Sequence, residues 1–176
     1  MSRKKVLITG AAGRIGRVLN DGLKDRYDLR VLYNRRILEQ QHDEEIFIGN
    51  ITDLEKMEEV VDGCDAVIHM AGDPSTKASF EETVVANIRG TYCIYEASRR
   101  KGVKRVVFAS TNHVTGYYEK KGQIYTTWDM PVRPDSYYGA SKAYGEFLGQ
   151  YYWDAFGLSV TSLRIGSFQS VKNVQN

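Results

Sequence analysis

Only two cysteines and three prolines occur in 176 residues, and no apolar run approaches the roughly 20 residues of a membrane-spanning helix. Cys64 and Cys93 stand far apart in apolar, periodic segments, without metal-ligand spacing. That excludes a disulfide scaffold and predicts two reduced, buried packing thiols and no metal site. Charge of one sign is lacking too. With 24 Lys and Arg against 22 Asp and Glu, the net +2 gives no electrostatic case for nucleic acid or a membrane surface. Residues 1–5 pass directly into an apolar segment with no signal peptide, so a cytoplasmic location is expected. What is there, 42% apolar and 26% charged residues, is the make-up of one globular domain over residues 1–176.

Strand and helix patterns alternate along the chain. Short β-branched and leucine runs at 4–10, 29–34, 45–50, 65–72, 104–111 and 159–167 read as strands. Helical spacing occupies 15–23, 54–63, 80–100 and 136–156, with Thr52 or Asp53 as N-cap of the second helix and Gly63 as its stop. Strands apolar along their whole length suit a parallel sheet covered on both faces. Right-handed crossovers then predict a doubly wound α/β sheet that binds ligands at the carboxyl ends of its strands. The long stretch 112–135, rich in Tyr, Lys, Gly and Pro, reads as an irregular loop leaving one of those ends.

The first strand runs into "TGAAGRIG", with Gly10, Gly13 and Gly16 opening the first helix. Gly10 permits the tight turn, Gly13 lets a pyrophosphate approach the backbone, and Gly16 lets helix and strand pack closely. Phosphates would rest on free N–H groups at the helix start, beside Arg14 and Ile15. An NAD site normally places Asp or Glu at the end of the second strand, where it holds the ribose hydroxyls. Here Tyr33 or Asn34 stands there, followed by Arg35 and Arg36. Without a carboxylate nothing repels a 2′-phosphate, and guanidinium forks match one well, so the expected cofactor is NAD(P), leaning to NADP.

In "YYGASK", Tyr138 precedes Lys142 by one helical turn, which puts both side chains on one face. With twelve tyrosines in the chain, spacing alone decides little. Tyr117 and Lys121 form a second such pair in a polar stretch without helical pattern, and are read as chance.

Taken together, the glycine loop, "HMAG" with Ala71 and Gly72, Thr111 ending the fifth strand and "YGASK" opening a helix resemble the extended short-chain dehydrogenase/reductase superfamily. That group is also called the NAD-dependent epimerase/dehydratase family, and the likeness runs from Lys4 to about Ser167. It implies a Rossmann fold, Tyr138 as acid/base, Lys142 as its partner and holder of the nicotinamide ribose, and Thr111 as the hydroxyl that orients substrate. It also implies that Asn87 fixes the backbone of the site, and that Asn50 and Ile51 stand where the family's adenine-binding acid lies. An ammonium one turn away is expected to favour the phenolate of Tyr138.

Acids that serve dehydration in this superfamily are missing after Thr111. Asn112 and His113 look instead like the Ser-Asn-His turn of uronate dehydrogenases, and "RIGS" with Ser167 is similar to that group. Asn112, His113 and Ser75 would offer neutral donors and acceptors to sugar hydroxyls. The expected activity is oxidation of a sugar or sugar acid, with sugar-nucleotide epimerisation or plain dinucleotide binding as alternatives. His69 is expected to be a packing residue and His42 a solvated one. Members of the superfamily continue into a further strand and a smaller substrate-binding portion. This sequence ends at Gln175 and Asn176, so that portion is expected to be missing. The resemblance implies a homodimer through the helices at 80–100 and 137–156, which Gly145, Gly149 and the apolar face of Phe147, Leu148 and Tyr151 would permit; those faces could equally be core.

Overall fold

The computed structural model describes residues 3–123 and 125–169. Six strands alternate with helices: β1 Lys5–Thr9, β2 Asp28–Tyr33, β3 Glu45–Ile48, β4 Ala66–His69, β5 Arg105–Thr111 and β6 Ser159–Ile165. All neighbours pair in parallel in the order β3-β2-β1-β4-β5-β6. The chain therefore winds outward in one direction from β1 and in the other from β4, which opens a crevice at their carboxyl ends.

Side chains alternate across the strands, so each face of the sheet receives its own core. Leu7, Val67, Val106 and Phe108 point toward one layer of helices, where they meet Met57, Ile94, Tyr95 and Tyr152. Val6, Ile8, Val31 and Tyr33 point the other way, and Leu19 and Leu23 of helix α1, Arg14–Leu23, pack against them. The expectation that both faces are covered throughout needs correction. On the α1 side the cover extends over β1 and β2, whereas Leu163 of β6 is 49% exposed among the described residues.

Local signals set the helix ends. Asp53 caps α2, Leu54–Val61, by accepting the Lys56 N–H, and Gly63 turns the chain away at φ 72°. Ser136 caps α6, Tyr137–Phe156, through the Gly139 N–H. The single helix expected over 80–100 is three pieces: α3 Phe80–Thr83, a π-helical segment Val84–Arg89, and α4 Gly90–Arg100. A π-turn inserts one extra residue per turn and shifts the register of the side chains that follow. Asn87 lies within it, 2% exposed. The stretch 112–135 is also less irregular than expected, holding a 3₁₀ turn Asn112–Val114 and helix α5 Gly116–Lys120. Tyr117 is thus helical after all; Lys121 is the C-cap of α5, with its ammonium 5.9 Å from the Tyr117 ring. Cys64 and Cys93 are free and buried.

Candidate active site

The turn from β1 into α1 provides an anion cradle. Gly13 caps α1 without any side-chain hydrogen bond, and its first turn carries no acid. Free N–H groups and the positive helix end therefore face outward. The turn is closed by the Gly13 N–H donating to the Gly10 carbonyl at 2.9 Å, and Gly10 adopts φ 68°. A Cβ at Gly16 would lie 2.4 Å from that carbonyl oxygen, so only glycine lets the helix close on the strand. These features fit a dinucleotide pyrophosphate, for which Gly10, Gly13, Arg14, Ile15 and Gly16 would form the cradle.

Farther along the strand ends, Tyr33 is 2% exposed and points into the core. Asn34, Arg35 and Arg36 are exposed beyond it, so Asn34 is the residue at the end of β2 that faces outward. Asn50 is exposed as well, and its Oδ1 accepts the Thr52 N–H at 3.1 Å. Ile51 is buried, and its side chain lies against the backbone of Gly90.

A buried polar chain shapes the wall after β4. Thr9 Oγ1 accepts the N–H groups of Met70 and Ala71, each at 3.2 Å. Its proton is then left for His69 Nδ1 at 2.8 Å, which makes His69 Nε2 the donor to Thr91 Oγ1 at 3.3 Å. Burial, with a smaller push from Lys142, lowers the His69 pKa to about 3, so it stays neutral and holds the wall in place. Gly72 follows, and a Cβ there would come within 2.9 Å of Asn87 Oδ1.

Below this wall a cleft is lined by Ile15, Gly72, Asp73, Thr111, Tyr138 and Lys142, among others. Thr111 ends β5, while Tyr138 and Lys142 project from the first turns of α6. Ser141, between them, donates to the Tyr138 carbonyl at 2.7 Å and accepts from Asn87 Nδ2 at 3.0 Å. Lys142 is 5% exposed, with Nζ 4.8 Å from the Phe108 ring centroid and 5.9 Å from that of Tyr138. Burial lowers its pKa to about 8.

The expectation for Tyr138 is corrected here. Its phenol is pushed above the ordinary value by burial, the Thr111 hydroxyl offsets part of this, and the Asp73 carboxylate adds to it. The ammonium of Lys142 meets aromatic faces, so it does not hold the phenolate directly.

The remaining candidates lie outside the lining of the cleft. Ser75 is exposed, and its hydroxyl accepts the Lys77 N–H at 3.2 Å. Asn112 is exposed, with Oδ1 accepting from Thr111 Oγ1 at 3.3 Å. Ser167 is exposed past the end of β6, where Ile165 and Gly166 reach the cleft instead. His113 packs edge-on to the Tyr138 ring at 5.8 Å, and its Nδ1 lies 2.9 Å from Asp135. Burial pushes the Asp135 carboxyl up, but hydrogen bonds from His113 and Ser136 draw it below its ordinary value.

Two acids near the site went unnoticed in the sequence. Asp135 directly precedes the cap of α6, a position that could have flagged it. Asp73 follows Gly72, and no spacing rule singles it out.

Comparisons with known proteins agree with this geometry. Residues 6–175 match the NAD dependent epimerase/dehydratase family. Uronate dehydrogenase of Pseudomonas syringae pv. tomato is 43% identical over 165 residues, which cover 93% of this chain and 59% of that protein. L-arabinose 1-dehydrogenase (NAD(P)(+)) of Haloferax volcanii is 37% identical over 92% of this chain and 66% of that protein. Among solved structures, a uronate dehydrogenase mutant from Agrobacterium tumefaciens complexed with NAD superposes with a TM-score of 0.84 at 35% identity, covering 94% of this chain and 62% of that one. The chain thus spans about three fifths of the length of the uronate dehydrogenases it matches. With its glycine cradle, six-stranded parallel sheet and Tyr138–Lys142 helix, the chain belongs to the NAD dependent epimerase/dehydratase family.

Proposed function

We propose that this chain binds NAD(P) and oxidises a sugar or sugar acid at a hydroxyl-bearing carbon, in the manner of a uronate or aldose dehydrogenase. The observation that carries this reading is the convergence of Thr111, Tyr138 and Lys142 on one cleft beside the glycine turn. Relatives named uronate dehydrogenase and L-arabinose 1-dehydrogenase support the same class.

When bound, the nicotinamide supplies the hydride acceptor. Tyr138, once deprotonated to the phenolate that the positive charge of an oxidised nicotinamide ring would favour, takes the proton of the substrate hydroxyl, with Thr111 orienting that oxygen. Lys142, with a pKa near 8, is mostly charged at neutral pH and supplies positive potential beside the phenol. Asn87 and Ser141 hold the backbone of Tyr138. Asn112, His113, Ser75 and Ser167 are proposed as outer contacts to the sugar.

The exposed Asn34, Arg35 and Arg36 favour NADP over NAD, since no carboxylate stands at the end of β2. A second copy of the chain is the proposed partner for α6, where Tyr144, Phe147, Leu148 and Tyr151 line an apolar groove.

A titration with NADPH and NADH, read by tryptophan fluorescence, tests the cofactor assignment. NADPH should bind several-fold tighter, and tighter NADH would reverse the preference. Screening sugars for reduced-cofactor formation tests the reaction. Conversion of a sugar nucleotide with no net reduced product would indicate epimerisation instead.

A further inference from the structure

Asp73 is a carboxylate in the wall of the cleft. Asn87 clamps its backbone from both sides: Oδ1 accepts the Asp73 N–H at 2.7 Å, and Nδ2 donates to the Asp73 carbonyl at 3.0 Å. The same amide reaches Ser141 on the helix that carries Tyr138 and Lys142. Asp73 is therefore held in register with the proposed catalytic pair. One carboxylate oxygen accepts the Ser75 N–H at 2.9 Å, which closes the turn. The other has no protein partner among the described residues.

The charges around the cleft are few. Among the described residues lining it, Asp73 is the one acid and Lys142 the one base. From the turn after β5, His113 is engaged by Asp135. From β6, Arg164 is committed to Glu146 through two hydrogen bonds of 3.0 and 2.8 Å. Of these groups, Asp73 is the one that offers the cleft a carboxylate oxygen without a partner among the described residues.

We propose that Asp73 determines specificity, selecting an uncharged sugar over a sugar acid by accepting hydrogen bonds from substrate hydroxyls and repelling a substrate carboxylate. A fixed acid beside the reacting group discriminates by an attractive and a repulsive element at once. The inference rests on the dehydrogenase reading above and narrows its substrate class. Asp73 and Tyr138 line the same cleft, and the carboxylate adds to the upward push that burial gives the phenol.

The test uses the full chain, loaded with the dinucleotide it binds. Rates are compared for matched pairs, glucose with glucuronate and galactose with galacturonate. The aldose should be preferred at least tenfold in kcat/KM. Asp73→Asn should erase most of that preference, chiefly through a lower KM for the uronate, while Asp73→Glu should keep it. A wild-type preference for the uronate, or a preference unchanged in Asp73→Asn, overturns the proposal. A chain that binds cofactor yet oxidises none of these four, nor L-arabinose, nor any other sugar or sugar acid of the screen above, sinks the dehydrogenase reading itself, and this inference with it.

A second readout needs no turnover. NMR titration of the Tyr138 ring, assigned through Tyr138→Phe, should move to lower pH in Asp73→Asn, with Lys142 and His113 left in place. An unmoved titration overturns the placement of the charge.

Discussion

Glu96 and Lys142 are charged side chains only 7% and 5% exposed, on the neighbouring helices α4 and α6, and their surroundings treat them in opposite ways. Glu96 accepts from Arg99 at 2.7 and 2.9 Å, from Arg100 at 2.6 Å and from the Tyr152 hydroxyl at 3.0 Å. Arg99 holds its pKa down to about 2, burial works against this, and Arg100 and Tyr152 add to the lowering. Lys142 has aromatic faces and no counter-ion among the described residues, and burial lowers it to about 8. One charge is paired and stabilises the helix layer. The other is left desolvated in the wall of the cleft, where a group that titrates near neutrality is useful. Two regions of one helix layer thus divide stability from chemistry.

The largest effect should come from Tyr138→Phe, which removes the proposed proton acceptor. Turnover should fall by roughly 10²–10⁴. If the division holds, the melting temperature should stay within a few degrees of wild type. A large drop in melting temperature would show that Tyr138 is a packing residue and break the comparison.

Lys142→Met should come next, as a gain in stability of about 2 kcal/mol at pH 7 with a smaller loss of turnover. The folded pKa near 8 lies below the unfolded value of 10.5. The unfolded chain therefore holds the proton more tightly, so the penalty is full below pH 8 and fades as pH rises toward 10.5. Denaturant unfolding across that range should show wild-type stability rising with pH and the Met variant flat. A less stable variant would mean that the cation–π contact with Phe108 outweighs desolvation.

Glu96→Gln should have the smallest effect, a loss of about 1–2 kcal/mol at pH 7. Its partners Arg99 and Arg100 are 36% and 44% exposed, so solvent screens the pair. The folded pKa of Glu96 is depressed, so its contribution is present above pH 4.5 and is lost as pH falls toward 2. Acid unfolding midpoints should differ between wild type and variant above pH 4.5 and converge at lower pH. Equal stability at pH 7 would sink the account of Glu96.

The fold was largely legible because its signals are local. Apolar strands ending at Gly10 and Gly72, the Asp53 cap and the Gly63 stop each act within a few residues. The π-segment was not legible, since helical periodicity at 80–100 hides a single inserted residue. The site was half legible. Glycine spacing and the Tyr138–Lys142 turn mark themselves, but Asp73 and Asp135 matter only through what folding brings beside them. The Tyr138 phenol shows the same limit. Helical spacing places an ammonium nearby, yet burial raises the phenol, and it is the Thr111 hydroxyl that offsets part of this while Asp73 adds to it.

By itself the sequence determined the alternation of strand and helix, the phosphate cradle, and which residues could do acid–base work, because each depends on short-range sterics and spacing. The tertiary structure alone decided that Asn87 clamps Asp73, that Tyr33 turns inward and leaves Asn34 at the end of β2, and that Lys142 is desolvated over Phe108 while Glu96 is paired. Charges and hydrogen bonds act through space, and the distances that set them exist only once the chain has folded.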